Sequence, residues 1–153
     1  MKGFIQINIL LVALALCLNS CSLPRSGGSD LGNERLDGCP SSPNCVSSEA
    51  QDAEHTVAPL HLKGDPQKAW EAIGRIVGQL PRSTIVEAND RYLHIACKSR
   101  LFGFVDDLEL LLDLSTMKIA IRSAARSGKS DLGVNRRRVE TLRQKFKTDG
   151  LIE

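Results

Sequence analysis

Aromatic residues are scarce: one Trp, one Tyr and four Phe make up 4% of the chain, too little to suggest a deep apolar ligand pocket. Histidine is scarcer still, and His55, His61 and His94 have no spacing, among themselves or with carboxylates, that would gather them around a metal ion. No Gly-rich phosphate loop and no Gly-x-Ser-x-Gly elbow occurs, which removes the phosphate-loop enzymes and the α/β-hydrolases. Net charge is only +2, so overall balance implies no particular partner. No cofactor is expected. At 153 residues the chain has room for one domain plus processing segments.

Only one long apolar run is present, and it lies at the N-terminus. Residues 9–18 read ILLVALALCL behind a positively charged Lys2. The apolar stretch from Phe4 covers about fifteen residues, short of the roughly 20 that a bilayer span needs, and it suits the core of a signal peptide. Leu18-Asn19-Ser20-Cys21 resembles the bacterial lipobox, in which the cysteine receives a diacylglyceryl thioether and, once cleaved, a further fatty acyl chain such as palmitate. Cys17 is less suitable because the bulky Leu16 precedes it. An ordinary secretory signal ending near a cysteine is the alternative. Ser22, not being Asp, resembles the pattern that sends lipoproteins of double-membraned bacteria to the outer membrane, facing the periplasm.

The expected organisation is therefore a signal peptide at 1–20, a flexible tether at 21–38 starting from lipidated Cys21, and one domain at 39–153. The tether, SLPRSGGSDLGNERLDG after the cysteine, is polar and lacks apolar periodicity. Charge within the domain is lopsided. Ten Lys and Arg face two acids between Lys118 and Lys147, whereas nine face fourteen between Cys21 and Asp113. Cys39 and Cys45 flank two prolines, and in an oxidising envelope they most simply form a short-loop disulfide; pairing with Cys97 or free thiols are the alternatives. Cys97 alternates with Leu93 and Ile95, which reads as a buried thiol rather than a nucleophile.

Periodicity predicts a small α+β domain: a mostly antiparallel sheet of four to five strands with two helices packed on one face. Residues 56–62 suggest a short strand. Asp65-Pro66 announces a helix carrying Ala69, Trp70, Ile73, Ile76, Val77 and Leu80 on one face, closed by Pro81. Gly74 and Gly78 within it suggest close packing on the sheet. Strands are expected at 84–88 and 92–98 around an Asn-Asp-Arg turn. Strands at 107–113 and 118–125 follow, with Leu112 opposite Ile119, Leu110 opposite Ile121 and Glu109 opposite Arg122. Asn135 is the expected N-cap of a last helix, with Val134 and Val139 placed for a hydrophobic staple and Val139, Leu142 and Phe146 as its apolar stripe.

Polar chemistry is densest between Arg122 and Arg138. Three arginines, Arg136 to Arg138, crowd the start of a helix whose N-terminus already carries partial positive charge. Two answers are open. Asp106, Asp107, Glu109 or Asp131 could pair with the arginines as an internal network. Alternatively, Arg122, Arg126, Arg136 and Arg138, with Ser123 and Asn135, hold an external anion while Asp107 and Glu109 position them. That anion would be a small molecule, a lipid headgroup or an acidic surface of an envelope protein. Nucleic acid is excluded by the exported compartment. Asp106 and Asp107, adjacent on a strand, point to opposite faces and cannot form one catalytic dyad, so enzymatic activity is not the favoured reading.

Ser99-Arg-Leu-Phe-Gly-Phe-Val-Asp-Asp107-Leu-Glu109, then Arg122-Ser123 with Arg126, then Ser130-Asp131-Leu-Gly133-Val-Asn135-Arg136-x-Arg138-Val-Glu140, resembles the signature of domain of unknown function 1499. The Cys39-Pro-Ser-Ser-Pro-Asn-Cys45 segment and Trp70 match it as well, so the resemblance spans about 38–146. It implies a bacterial and plastid family, often exported or lipid-anchored, with no particular activity, and it implies that the Asp and Arg groups belong to one pattern. Cys97 departs from that pattern, so its thiol is not a shared functional group. A scaffolding lipoprotein with a protein partner remains the third class of function. The two answers for the arginines differ in what Arg136→Ala does: lost binding at nearly constant thermal midpoint for an anion site, lost stability for an ion-pair network.

Overall fold

A computed structural model describes residues 35–153; the expected signal peptide, Cys21 and the first part of the expected tether lie outside the described residues. The element order is β1 (Cys45–Ser47), β2 (Leu60–His61), α1 (Pro66–Gly78), β3 (Ser83–Ala88), β4 (Tyr92–Lys98), β5 (Val105–Asp113), β6 (Lys118–Ala125) and α2 (Val134–Thr148). The strands form one sheet in the order β1-β6-β5-β4-β3, and β2 pairs with β6 further along the edge that β1 occupies. Every ladder between named strands is antiparallel. The fold is thus α+β, with the three-residue β1 added to the four or five strands expected. Of 56–62 only Leu60–His61 pairs as a strand; Thr56 makes an isolated parallel bridge to Ser47.

Helix α1 starts where its sequence directs. The Asp65 carboxylate accepts from the backbone N–H groups of Gln67 and Lys68, both at 3.0 Å, while Pro66 occupies the first turn, where its missing N–H is not needed. Ala69, Trp70, Ile73 and Val77 are buried. A Cβ at Gly78 would stand 3.2 Å from the Ile85 side chain, and one at Gly74 would stand 3.7 Å from Leu93. Close approach to the sheet therefore accounts for Gly78 and, more weakly, for Gly74.

Helix α2 begins differently from expectation. Its N-cap position is Gly133, in the left-handed region at φ 75°, and the side chain that caps it belongs to Asp131, which accepts from Gly133 N at 2.9 Å and Asn135 N at 2.7 Å. Asn135 lies inside the first turn and is fully buried. Its amide is needed for a tertiary contact described below, so the capping role passes to a carboxylate better matched to the helix dipole. Val134 is the first helical residue and is exposed rather than stapled.

The β5–β6 register sets Leu112 against Ile119, Leu110 against Ile121 and Glu109 against Arg122. Strand alternation then gives the sheet two faces. One carries Leu93, Ile95, Cys97, Leu108, Leu110, Leu112, Ile119 and Ile121 and meets Ile73, Val77, Val139, Leu142 and Phe146 of the helices in the main core. The opposite face carries Tyr92, His94, Asp107, Glu109, Leu111 and Arg122. It is buried too, with Leu36 packed against Tyr92 and Leu111. At the far edge β3 is mostly exposed and carries a bulge between Ile85 and Glu87, which discourages edge pairing. The C-terminus closes the other flank, where Glu153 N donates to His61 O at 3.0 Å.

Two substitutions separate core from cap. Phe146→Ala, at a wholly buried position, is expected to lower unfolding free energy by about 3–5 kcal/mol. Asp65→Ala should lower it by only about 1 kcal/mol. Urea unfolding of both variants checks the order.

Candidate functional site

Alternation along β5 separates the carboxylates that the sequence groups together. Asp107 and Glu109 face away from the helices; Asp106 faces α2. On the first face Glu109, with no exposed surface, accepts from the Tyr92 hydroxyl at 2.6 Å and from Arg122 Nη1 at 2.5 Å. Two residues along, Asp107 accepts from Arg126 through Nε at 3.0 Å and Nη2 at 2.8 Å, and contacts His94 Nε2 at 2.6 Å. An ionised carboxylate only accepts, so His94 Nε2 carries a proton. Burial alone would raise the Asp107 pKa; the His94 and Arg126 hydrogen bonds overcome it and hold the carboxyl below its ordinary value. Arg122 Nε is buried without a hydrogen-bond partner.

On the helix side Arg138 is the hub. Its Nη2 donates to Asp106 at 2.6 Å, and its Nη1 donates to Ser123 Oγ at 2.9 Å and Asn135 Oδ1 at 2.5 Å. Ser123 Oγ donates to the same Asn135 oxygen at 2.6 Å, while Asn135 Nδ2 donates to Asn44 O at 3.1 Å and Asp131 Oδ2 at 2.8 Å. Burial opposes ionisation of Asp131, but the N–H groups of Asn135 and Gly133 lower its pKa overall. This network ties β5, β6, α2 and the segment before β1 together.

The three arginines at the start of α2 diverge. Arg138 turns inward to Asp106. Arg136 donates to the carbonyls of Thr56 at 2.8 Å and Glu54 at 2.6 Å, and Arg137 donates to Leu132 O at 2.8 Å. Charge near the helix dipole is thus answered by internal acceptors. Arg122 and Arg126 belong to one side of the sheet, Ser123, Asp131, Asn135 and Arg138 to the other, and Arg136 to neither; the expected group does not converge on one point.

Sequence reasoning passed over His55. It is buried, its Nδ1 lies 2.7 Å from Asp52 Oδ1, and its Nε2 lies 3.1 Å from Ser42 O. Both nitrogens meet acceptors, which suits the imidazolium. Burial pulls its pKa down, yet the Ser42 carbonyl and the Asp52 carboxylate raise it overall. It joins residues 51–56 to the loop closed by the Cys39–Cys45 disulfide, whose Cα atoms are 5.6 Å apart. Cys97 is free and buried, and burial pushes its thiol up, which suits an inert core group.

A second unforeseen feature lies at the end of the sheet where α1 leads into β3 and β4 turns into β5. A groove of about 310 Å³ there is bordered by Arg82, Lys98, Arg100 and Arg138, with Cys97 and Ser99 in its wall and Val134 at its rim. No carboxylate lines it. Lys98 and Arg100 stand two residues apart, at the end of β4 and in the loop after it, and the β3–β4 register, with Ser83 opposite Cys97, sets Arg82 beside them. Among the described residues no group of three His, Cys, Asp or Glu is placed to hold a metal ion. Chemically the arrangement offers paired charges and a cationic groove, without an activated nucleophile or a carboxylate dyad among the described residues.

Fold and site together define a small α+β domain whose sheet carries ionic networks on both faces. A family model described as "Protein of unknown function (DUF1499)" matches residues 35–146, and the chain belongs to that family. No curated protein and no solved structure matches it.

Glu109→Ala, which strands Arg122 in a buried position, is expected to destabilise by about 3–5 kcal/mol, and Glu109→Leu/Arg122→Met to recover most of that loss. Urea unfolding of the two variants decides it. Stability should also depend on pH from both sides. Asp107 and Asp131 are depressed and Asp113 is lowered to about 2 by Ser115 and Thr116. Their contribution is present above the unfolded value of about 4 and is lost as pH falls through the folded values. His55 is raised, so its contribution is full below about pH 6.5 and fades as pH rises through the folded value. His55→Gln should flatten the alkaline decline in thermal midpoint and leave the acid decline in place.

Proposed function

We propose that this chain is an envelope lipoprotein, held to a membrane through acylated Cys21, whose domain is a non-catalytic module that binds an anionic group in the groove between Arg82, Lys98, Arg100 and Arg138. Ser22 beside Cys21 supports an outer-membrane position facing the periplasm in a cell with two membranes. The observation that carries the binding reading is a cationic groove without a single carboxylate in its lining. Arg82, Lys98 and Arg100 are exposed, so an incoming anion meets cations whose charge is not spent on a partner carboxylate. Arg122, Arg126 and Arg138 are instead paired with Glu109, Asp107 and Asp106. These pairs favour a structural role for that group, with Arg138 alone belonging to both the network and the groove.

Two measurements test this reading. Metabolic labelling with palmitate should mark the protein and fail for Cys21→Ser; unlabelled wild-type protein would overturn the anchor. Native mass spectrometry of gently purified protein, with an amide NMR titration against inorganic phosphate, addresses the groove. Residues 82 and 98–100 should shift with phosphate, and Arg82→Glu/Arg100→Glu should abolish the shifts at an unchanged thermal midpoint. Shifts confined to Arg122, Arg126 or Arg136, or no shifts, would overturn the groove.

A further inference from the structure

The groove occupies an end of the domain that is unusual in a second way. Among the exposed large apolar side chains, Leu101, Phe102 and Leu132 are 84%, 77% and 84% exposed, and Phe104 is 55% exposed. All four stand on the two loops that frame this end, residues 99–104 and 126–133. The loops meet at a smaller cavity shared by Phe104 and Val134, and Val134 also borders the cationic groove. Single exposed apolar residues need no explanation; a cluster of this kind does.

Neither loop holds its apolar residues out passively. Gly103, at φ 67°, lets the chain reverse between Phe102 and Phe104, and Ser99 N closes the turn on Phe104 O at 2.7 Å. The Phe102 and Phe104 rings lie 5.9 Å apart. Leu132 adopts φ 54°, a left-handed conformation uncommon for a non-glycine residue. Arg137 holds the Leu132 carbonyl, and Asp131 caps the helix that follows. These contacts fix the backbone of the loop with the Leu132 side chain 84% exposed.

Charge not already engaged by an opposite charge or a helix start is of one sign at this end. Arg82, Lys98, Arg100, Lys129 and Arg137 are exposed around the apolar apex. Asp106, Asp107 and Asp131, the carboxylates at these strand ends and loops, are already engaged by Arg138, by Arg126 and by the start of α2.

We propose that this end is a foot that docks on an anionic lipid bilayer, with Leu101, Phe102, Phe104 and Leu132 entering the headgroup and acyl boundary and lipid phosphates seated against Arg82, Lys98 and Arg100. The proposal rests on the groove reading above and names its ligand as a lipid headgroup. Apolar and aromatic side chains with a basic rim are the combination that favours interfacial binding to anionic membranes. A second copy of the chain would bring like charge against like. Reach allows the foot and the anchor to share one bilayer. Leu36 packs beside Tyr92 and Leu111, at the opposite end of the sheet. The roughly 14 residues from Cys21 to Arg35 span up to about 46–50 Å, and the nine residues of β5 span only about 30 Å.

The test uses the chain from Ser22 onward, without the acyl group but with the whole core from Leu36 to Ile152. Sedimentation is measured with vesicles of equal parts phosphatidylglycerol and phosphatidylcholine, and with phosphatidylcholine alone. Binding is expected only to the anionic vesicles, falling with added salt. Leu101→Ser/Phe102→Ser and Arg82→Glu/Arg100→Glu should each weaken it by at least about tenfold, with circular dichroism melting unchanged. No binding, equal binding to both vesicles, or binding indifferent to the Leu101→Ser/Phe102→Ser change would overturn the proposal. If phosphate still shifts residues 82 and 98–100 while vesicles are ignored, the groove stands and the membrane foot falls. If both fail, both readings fall together. A protein crosslinked in cells through residue 102, with vesicles unbound, would assign the end to a protein partner and overturn docking on lipid.

Discussion

Glu109 and Arg122 face each other across the central β5–β6 ladder, and much of the remaining architecture follows from that pairing. Both are buried, so neither tolerates loss of its partner. A one-residue slip would send Glu109 toward the helices and the alternating leucines away from them. The apolar alternation and the ion pair therefore enforce the same register from opposite faces. Tyr92 adds β4 to the arrangement through its hydroxyl on Glu109, and Asp107 extends it to His94 and Arg126. Three strands are thus locked by polar contacts on the face that has no helix.

The helix side is locked by a different device. Arg138, Ser123 and Asn135 share hydrogen bonds around Asp106, and the Asn135 amide reaches the backbone before β1. Arg136 grips the carbonyls of Glu54 and Thr56, and His55 holds the same segment to the disulfide-closed loop. A helix start loaded with arginines, unfavourable in isolation, becomes a set of ties to three otherwise irregular segments. The irregular N-terminal part of the domain owes its order to these ties and to the disulfide, since β1 and β2 supply only three and two residues of strand.

Paired charges inside and unpaired cations outside divide the labour. Buried arginines are committed to carboxylates, which leaves little for a ligand. Exposed cations at one end of the sheet stand beside apolar loop tips, the place proposed to meet an anionic surface. That division makes the Asp and Arg pairs of the family signature a structural frame, while the proposed binding surface draws on Arg100, Leu101, Phe102, Phe104, Leu132 and Arg138 from the same signature and on Arg82 and Lys98 from outside it.

From sequence alone, local physics determined the two helices and the four long strands; it did not show β1, and of 56–62 only Leu60–His61 is strand. Asp65-Pro66 set the start of α1, period-two leucines set β5, and the matching isoleucines set β6 together with the Glu109–Arg122 register. The short spacing around two prolines anticipated the Cys39–Cys45 bridge, and alternation with Leu93 and Ile95 anticipated a buried Cys97. Those features depend on neighbours in the chain or on a single hairpin. Tertiary structure decided everything that depends on which distant segments meet. It chose Asp131 over Asn135 as the cap of α2 because the Asn135 amide was needed elsewhere. It also divided Asp106 and Arg138 from Asp107 and Arg126 across the sheet, and sent Arg136 to backbone carbonyls. Lys98 and Arg100 are near neighbours in the chain, but Arg82 joins them only through the β3–β4 register, Ser83 opposite Cys97, and Arg138 comes to the same groove from α2.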